Sequence, residues 1–352
     1  MILAMTPTSA SASFSEFALF SAAKVLCVFA VLMFIVAYAV WVERKVSAAI
    51  QDRRGPNRVG IFGLLQPLAD MIKAFLKEDF TPGHVRKAYF WLAPAIVMIP
   101  SLLTVAIIPF GSQLGNQKMV IADLNVGILY TFGIVSLGVY GIVLAGYAAN
   151  SKYPFLGGIR SSAQMISYEV AMGMSVVPVF LLVGKLNLGE VVAYQAGGWL
   201  QWLVFKQPLS FVIFVVAMFA ETNRMPFDLP ESEQELAGGY NVEYSSMKFA
   251  LFFLGEYAAM TVASALMVTL FFGGWSLPIG DLDQPATTIG GGLLHIGIFL
   301  AKMLVILFTI IWVRWMLPRF RYDQLMDLGW RRFIPLALAN IMATAAVLWM
   351  WS

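Results

Sequence analysis

The sequence predicts an all-α integral membrane protein, a polytopic bundle with about eight transmembrane helices. Of its 352 residues, 60% are hydrophobic and only 12% are charged, whereas soluble domains carry about 25% charged residues. Long apolar stretches recur at the length of about 20 residues that a helix needs to cross the hydrocarbon core. Their periodicity is helical, and they are too long for barrel strands of about 10 residues. A helical bundle is therefore predicted rather than a barrel.

The predicted spans follow one another along the whole chain. They cover approximately 17–42, 88–109, 124–149, 161–184, 203–222, 248–273, 289–313 and 333–351. The fifth is the least regular, because Lys206 and Pro208 interrupt its start. No soluble module separates the spans, so residues 1–352 are predicted to form one domain. Its other parts are an N-terminal tail (1–16), a long loop (43–87) and an acidic loop (222–247).

Basic residues predict the orientation of the bundle. The connections 43–87, 150–160, 222–248 and 314–332 hold 9, 2, 2 and 5 lysines and arginines, while the opposite connections hold only Lys118, Lys185 and Lys206, with Lys24 near the first helix entry. Cytoplasmic loops carry the excess of lysine and arginine. We therefore expect a cytoplasmic acidic loop and both termini on the exterior side. The tail lacks a basic n-region, which favours a short exported tail over a cleaved signal.

The long cytoplasmic loop contains an amphipathic helix, predicted over residues 61–79. One face of that helix is apolar and the other polar. The apolar face holds Ile61, Leu64, Leu65, Leu68, Ile72, Phe75 and Leu76, and the polar face holds Gln66, Asp70, Lys73 and Lys77. Such a helix lies along the membrane interface or packs on a partner subunit. The sequence leaves both possibilities open.

Few residues in the chain are able to bind a redox metal. Cys27 is the only cysteine, and His84 and His295 are the only histidines. An iron–sulfur cluster needs several thiolates, and a haem or zinc site needs imidazoles at suitable spacing. We expect no metal in this chain. If the protein takes part in redox chemistry, partner chains hold the electron carriers.

Acidic residues crowd the connection between the fifth and sixth predicted spans. The segment from Glu221 to Glu243 reads ETNRMPFDLPESEQELAGGYNVE and holds six carboxylates and one arginine. Like charges at the edge of a bilayer repel one another and resist desolvation, so their pKa values shift unless they are paired. This pattern suits the movement of protons or the sensing of nearby charge.

Ionisable side chains inside predicted spans are a further sign of function. Glu169, Glu221, Glu256 and Lys302 have apolar neighbours on one or both sides, and insertion at the bilayer centre costs about 2.5–3.5 kcal/mol even on gentle scales. The alternative is a structural role, as a buried ion pair or a neutral acid; Lys302 has the option of pairing with an acid of another helix. Glu43, Arg44 and Lys45 end the first span either as an ordinary positive-inside anchor or as part of a polar cavity beside the acidic loop.

Four segments carry a family resemblance, and in chain order they read WVERKVSAAIQDRRGPNRVG, LLQPLADMIKAFLKED, NSKYPFLGGIRSSAQMISYEV and FAETNRMPFDLPESEQELAGGYNVEYSSMKFALFFLGEY. They resemble the core membrane subunit, designated H, of the bacterial proton-pumping NADH:quinone oxidoreductase, respiratory complex I. The similarity covers nearly the whole chain except the tail and the exported loops. It implies a multi-pass subunit of the bacterial inner membrane. It also implies membrane lipids, quinone and other complex I subunits as partners, with no nucleic acid.

The resemblance also implies a role for each matching residue. Quinone would enter from the bilayer near the first helix, the amphipathic helix and the sixth helix, and FMN and iron–sulfur clusters on partner subunits would deliver the electrons. The implied quinone chamber comprises Glu43, Arg44, Arg54, Asp70, Arg224, Glu231 and Glu233. The implied proton route comprises Glu169, Glu221, Glu235, Glu243, Glu256, Tyr168 and Tyr257.

Three other functions compete with this interpretation. A related subunit of a membrane-bound hydrogenase or other reductase would share the fold, and co-purified nickel rather than flavin would reveal it. A stand-alone secondary transporter would show matched internal repeats, and none is visible in the sequence. A purely structural anchor would leave Glu169 and Glu256 unexplained.

Overall fold

The computed structural model describes residues 14–115, 117–230 and 233–351, and nearly all of its regular structure is helical. The predicted all-α fold class is confirmed. The helices are α1 (Phe14–Ile50), α2 (Gln66–Leu76), α3 (Lys87–Thr104), α4 (Gly127–Val135), α5 (Leu137–Ala148), α6 (Lys152–Val183), α7 (Leu188–Tyr194), α8 (Leu203–Lys206), α9 (Pro208–Glu221), α10 (Glu233–Leu236), α11 (Ser246–Phe271), α12 (Ile289–Met316), α13 (Tyr322–Asp327) and α14 (Ile334–Trp351). A two-residue antiparallel hairpin pairs β1 (Gln113–Leu114) with β2 (Gln117–Lys118). Most of the predicted tail, 1–13, lies outside the described residues.

Seven helical segments of the described chain are long and apolar enough to cross a membrane. They are Ala18–Ile50, Lys87–Ile107, Gly127–Ala148, Lys152–Val183, Ser246–Phe271, Ile289–Met316 and Tyr322–Met350. The fifth predicted span, 203–222, is not among them, because it is broken at Gln207, whose backbone leaves the helical region. Pro208 explains the break, since proline disfavours helical geometry in the residue before it.

The second part of that span, α9, has only 14 residues, or about 21 Å of helix. Phe211, in its first turn, packs on Phe271 at the end of α11, and the hydrocarbon core is about 30 Å thick. The turn after Glu221 therefore begins inside the bundle. The first half of the acidic loop is also buried in the bundle, as the burial of Arg224, Asp228 and Leu229 shows.

Helix packing places α6, α9 and α11 at the centre of the bundle. α6 packs against α5, α9 and α14, while α11 packs against α3, α1 and α12. α6 begins at Lys152, nine residues before the predicted 161, so its first turns meet the acidic loop. A Cβ at Gly157 would lie 2.9 Å from the Pro230 carbonyl oxygen. Glycine at this position is what lets the loop approach the helix so closely.

The predicted amphipathic helix, 61–79, is shorter than expected. A 3₁₀ turn at Ile61–Gly63 precedes α2. α2 has no buried residues, and Leu68, Ile72 and Phe75 are all exposed on its apolar face. This face is uncovered within the chain, which is compatible with a bilayer surface or a partner subunit.

The C-terminal crossing starts earlier than the predicted 333. α13 leads into a π-helical turn, Leu328–Phe333, and then into α14. The Tyr168 hydroxyl donates to the Leu325 carbonyl oxygen at 2.9 Å and so ties α6 to this segment.

Candidate functional site

A buried group of charges joins the acidic loop to α1, α11 and α12, and Arg224 lies at its centre. The Arg224 side chain is 2% exposed. Its Nε lies 2.7 Å from Oε1 of Glu256, and its Nη1 lies 3.6 Å from Oε2 of Glu43. The guanidinium also stacks over the Tyr257 ring at 4.3 Å. One arginine thus contacts two acids that lie on helices far apart in the sequence.

Glu43 has three partners in this group. Its Oε2 accepts a hydrogen bond from the Tyr257 hydroxyl at 2.8 Å, and its Oε1 accepts one from Nη1 of Arg314. Glu43 and Glu256 face Arg224 and Arg314, so the formal charges balance. Balance and hydrogen bonds are what make charges tolerable in a low-dielectric interior. We call Glu43, Arg224, Glu256, Tyr257 and Arg314 the charge cluster.

The electrostatics of Arg224 follow from this surrounding. Burial works against the charged guanidinium, but Glu256, Tyr257 and Glu43 outweigh it and raise the pKa of Arg224. The arginine therefore stays charged, as arginine does in proteins generally. It provides a permanent positive charge beside Glu43 and Glu256, which are able to gain or lose a proton.

Asp228 and Arg319 lie at the edge of the charge cluster and form an ion pair of 2.9 Å. Burial raises the pKa of Asp228, and Arg319 and Arg314 partly oppose that effect. Neither Arg319 nor Arg314 was predicted as a site residue. In the sequence both resemble ordinary positive-inside anchors at the end of a span, and only their shared position with Asp228 and Glu43 distinguishes them.

Glu221 differs from the acids of the charge cluster because it has no ion-pair partner among the described residues. Its side chain is buried, and neither carboxylate oxygen has a hydrogen-bond partner in the described structure. Another acid, Glu169 of α6, interacts with it electrostatically. Two acids in this position cannot both ionise cheaply.

A cavity links Glu221 with Glu256. It has a volume of about 100 Å³ and lies between α3, α4, α5, α6, α9 and α11. Most of the other lining residues are apolar, and the polar ones are Ser101, Thr104, Thr131, Thr222, Asn223 and Tyr240. One water needs a cavity of about 10–15 Å³ and 2–4 polar partners, so this space accommodates several waters at its polar end. Two acids on different helices thus reach one space that suits water.

The turn that carries Glu221 is held by a residue that the sequence did not single out. Gln164 of α6 is fully buried, and its Nε2 donates to the carbonyl oxygens of Ala220 at 2.7 Å and Phe227 at 2.8 Å. One side chain thereby bonds both ends of the turn. A glutamine within an apolar span is the signal that was available in the sequence.

Other predicted site residues lie away from the charge cluster. Arg44 pairs with Asp70 at 2.6 Å, and both side chains are partly exposed. Arg54 is exposed and forms no ion pair with a described residue. Adjacent helical positions point about 100° apart, which separates Arg44 from Glu43. The structure therefore divides the predicted chamber residues between two places.

Two further acids of the loop, Glu235 and Glu243, do not line the cavity. Glu235 pairs with Arg160 at 2.7 Å, and Glu243 lies 3.8 Å from His84. Glu231 and the side chain of Glu233 lie outside the described part of the chain.

Two intramembrane groups have structural partners. Tyr168 packs on Phe227 and Phe333, and it does not line the cavity. Lys302 donates to the carbonyl oxygens of Phe272, Gly274 and Ser276 at 2.8, 3.1 and 2.6 Å. The possibility that Lys302 pairs with an acid is therefore replaced by a contact with the carbonyls that follow α11.

Comparisons with known proteins identify the family. The NADH dehydrogenase family model matches residues 23–345. The NADH-quinone oxidoreductase subunit designated H 1 in Cytophaga hutchinsonii is 49% identical over 338 residues, 94% of this chain and 97% of that protein. The subunit designated H 2 in Syntrophobacter fumaroxidans is 50% identical, over 93% and 96% of the two chains. The corresponding subunit of Flavobacterium johnsoniae, designated H, is 46% identical, over 95% and 96%. The chain therefore belongs to the family of NADH-quinone oxidoreductase subunits designated H, as a membrane subunit of that oxidoreductase complex.

Proposed function

We propose that this chain forms part of the quinone-binding chamber of its complex and begins the route by which quinone reduction drives proton movement. The observation that carries this proposal is the cavity shared by Glu221 and Glu256. Glu221 has no hydrogen-bond partner among the described residues, whereas Glu256 is paired with Arg224. A new charge nearby is therefore able to change the protonation of Glu221 and of Glu256 to different extents.

The charge cluster connects that cavity to the side where quinone would bind. Glu43 and Arg224 belong to the predicted chamber, and Glu256 and Tyr257 belong to the predicted proton route; in the structure all four are in contact. Charge that develops on the quinone would act on Glu43 and Arg224 first. Since Arg224 stays charged, the response falls on the acids around it.

The strength of the electrostatic interaction between the quinone and these acids depends on how far water is excluded from the site. Two unit charges 4 Å apart interact by about 1 kcal/mol in water and by about 4 kcal/mol at an effective dielectric constant of 20. About 1.4 kcal/mol changes a protonation equilibrium tenfold. The buried cluster is thus able to convert a change at the quinone into proton uptake or release at Glu256 and Glu221.

The remaining parts of the complex complete the reaction. The relatives are named as subunits of an NADH-quinone oxidoreductase, and one cysteine and two histidines are too few to bind iron–sulfur clusters. In our proposal, partner subunits hold the FMN and the clusters, and quinone is a substrate at the interface with them. The bacterial inner membrane, with the acidic loop cytoplasmic, is the proposed location.

The test is Glu221→Gln in the assembled complex. Glutamine keeps the shape of the side chain but cannot exchange a proton. We therefore expect quinone reduction and proton translocation to fall together by about 100-fold or more, the effect of removing a general acid or base. NADH-driven quinone reduction and acidification of inverted vesicles are the measurements. NADH oxidation with a soluble electron acceptor that bypasses quinone should remain normal.

The matched control is Glu190→Gln. Glu190 is an exposed acid in α7 that pairs with Lys185, far from the cavity. We expect this variant to keep both activities. Normal quinone reduction and normal proton translocation in the Glu221→Gln complex would exclude the proposed role of Glu221.

A further inference from the structure

A second cavity lies in a groove between α1, α11 and α12, and its lining does not include the side chains of the charge cluster. Its volume is about 140 Å³, and its lining includes Cys27, Val31, Ile35, Ala265, Phe299 and Met303. The only hydroxyl in the lining, on Thr261, donates to the Tyr257 carbonyl oxygen at 2.8 Å. The groove therefore presents hydrocarbon and a thiol. Cavities of about this size with apolar walls stay dry and take up apolar ligands.

The groove is accessible from the side of the bundle. Cys27 is exposed, and Val31, one turn further along α1, is 38% exposed. Both lie within the apolar helix Ala18–Ile50 that is long enough to cross the membrane. What meets the opening is therefore hydrocarbon of the bilayer or a neighbouring helix.

A positive charge lies at one end of the groove. Lys24 precedes Cys27 by three residues and shares its helix face. Its Nζ donates to the carbonyl oxygens of Lys118 at 3.2 Å and Val120 at 3.1 Å. An ammonium has three N–H donors, so one donor remains, and the ammonium also lies 5.4 Å from the centre of the Phe20 ring. No described carboxylate forms an ion pair with Lys24.

The depth of Lys24 suits a lipid phosphate. It lies six residues inside the start of the membrane-crossing segment at Ala18, or about 9 Å along the helix axis. A lysine near a helix end extends its ammonium toward the interface while its methylene chain stays in the apolar layer. The ammonium of Lys24 is therefore able to reach the headgroup region from its place one turn before Cys27.

We propose that the groove binds one acyl chain of a phospholipid whose phosphate contacts Lys24. The apolar walls fit the chain, and the unpaired ammonium complements the phosphate. The subunit itself would hold this lipid, with the phosphate beside the N-terminal part of α1. A free anion would contact only the Lys24 ammonium, and a free hydrocarbon would contact only the apolar groove.

The experiment uses the assembled complex in nanodiscs containing phosphatidylglycerol with a photoactivatable diazirine in one acyl chain. After illumination, peptide mass spectrometry locates the cross-links. We expect them in α1 between Cys27 and Ile35 and in α12 near Phe299.

Three substitutions test the site. Cys27→Trp fills the groove and should abolish the cross-links. Leu26→Trp, a substitution at an exposed neighbour that does not line the groove, should leave them unchanged. Lys24→Gln should weaken labelling about fivefold, the effect of losing one exposed ion pair.

A second measurement needs no substitution. Cys27 is the only cysteine of the chain, so its alkylation by N-ethylmaleimide can be followed in the native complex. We expect bound phosphatidylglycerol to protect Cys27 and delipidation to expose it. Equal alkylation in both states, or equal cross-linking in Cys27→Trp and Leu26→Trp, would show annular lipid only and overturn the proposal. Competition by an isoprenoid quinone but not by phosphatidylglycerol would overturn it in favour of a quinone tail.

Discussion

Arg224 shows most directly how single residues hold the site together. It contacts Glu256 and Glu43 from a loop position that is itself buried. Removing one partner of a buried ion pair leaves an uncompensated charge, which costs far more than the pair contributes. The ETNR segment predicted the importance of this arginine, but its two acidic partners follow only from the fold.

The first prediction concerns Arg224→Met. Methionine fills similar space without charge and leaves Glu256 without its ion-pair partner, so we expect a loss of about 3–5 kcal/mol of stability and little assembled complex. Thermal unfolding of the purified complex and its yield in the membrane are the measurements. Arg331→Met is the control, because Arg331 is 84% exposed and pairs only with Asp327. An unchanged unfolding temperature in Arg224→Met would contradict the role given to the ion pairs.

The second prediction concerns Gln164, which bonds both ends of the turn after α9. Gln164→Leu keeps the volume but removes both hydrogen bonds, and we expect a loss of about 1–3 kcal/mol. Amide hydrogen exchange over residues 220–227 should accelerate in the variant. Gln201→Leu, at an exposed glutamine that contacts Lys206, should exchange like the wild type. If the exchange of 220–227 were unaffected, Gln164 would not position Glu221.

At the scale of elements, the short α9 and the early start of α6 together determine where the acidic loop lies. α9 ends at Glu221 within the bundle, and the first turns of α6 meet Pro230 and Gly239 of the loop. The helical periodicity and the apolar composition predicted both helices, but the predicted ends differ from the observed ends by up to nine residues, at the start of α6. Helix ends depend on proline geometry at Gln207 and on packing with distant segments, which local hydrophobicity does not record.

The third prediction concerns the contact of Gly157 with the loop. In Gly157→Val, the new Cβ would lie 2.9 Å from the Pro230 carbonyl oxygen and 3.1 Å from the Tyr240 amide nitrogen, so the loop must move. We expect faster proteolysis within 222–245 and lower quinone reductase activity. Gly173→Val in the same helix meets nothing within 4 Å in this chain, and its loop should be cleaved at the wild-type rate. Equal cleavage of the two variants would show that the loop does not depend on this approach.

At the scale of the whole molecule, the family is confirmed but the orientation remains a prediction. Seven long segments cross the membrane by length and composition, and if the short α9 is counted as a further crossing, both termini are predicted to lie on the same side. The excess of lysine and arginine on four connections predicts that those connections are cytoplasmic, so the termini are predicted on the exterior side. A competing hydrogenase subunit would share this topology, but the relatives from Cytophaga, Flavobacterium and Syntrophobacter all carry the name NADH-quinone oxidoreductase.

The fourth prediction tests the orientation with single cysteines in a Cys27→Ser background. Lys185 and Asp323 are both well exposed and lie on connections that are predicted to face opposite sides. We expect a membrane-impermeant maleimide to label Lys185→Cys in right-side-out vesicles. Asp323→Cys should be labelled only in inverted vesicles from which the peripheral subunits have been stripped. The reverse pattern would invert the topology.

The sequence by itself determined the membrane class, the approximate positions of the helices and the acids that are unusual at bilayer depth. These follow from composition, from a period of about 3.6 residues and from the cost of burying charge, all of which are local properties of the chain. The tertiary structure alone decided that Glu43 and Arg224 join Glu256 and Arg314, that Arg44 turns away to Asp70, and that Glu221 shares a cavity with Glu256. Such contacts depend on how each helix is rotated and how deeply each loop enters the bundle, and these are set by packing between segments far apart in the chain.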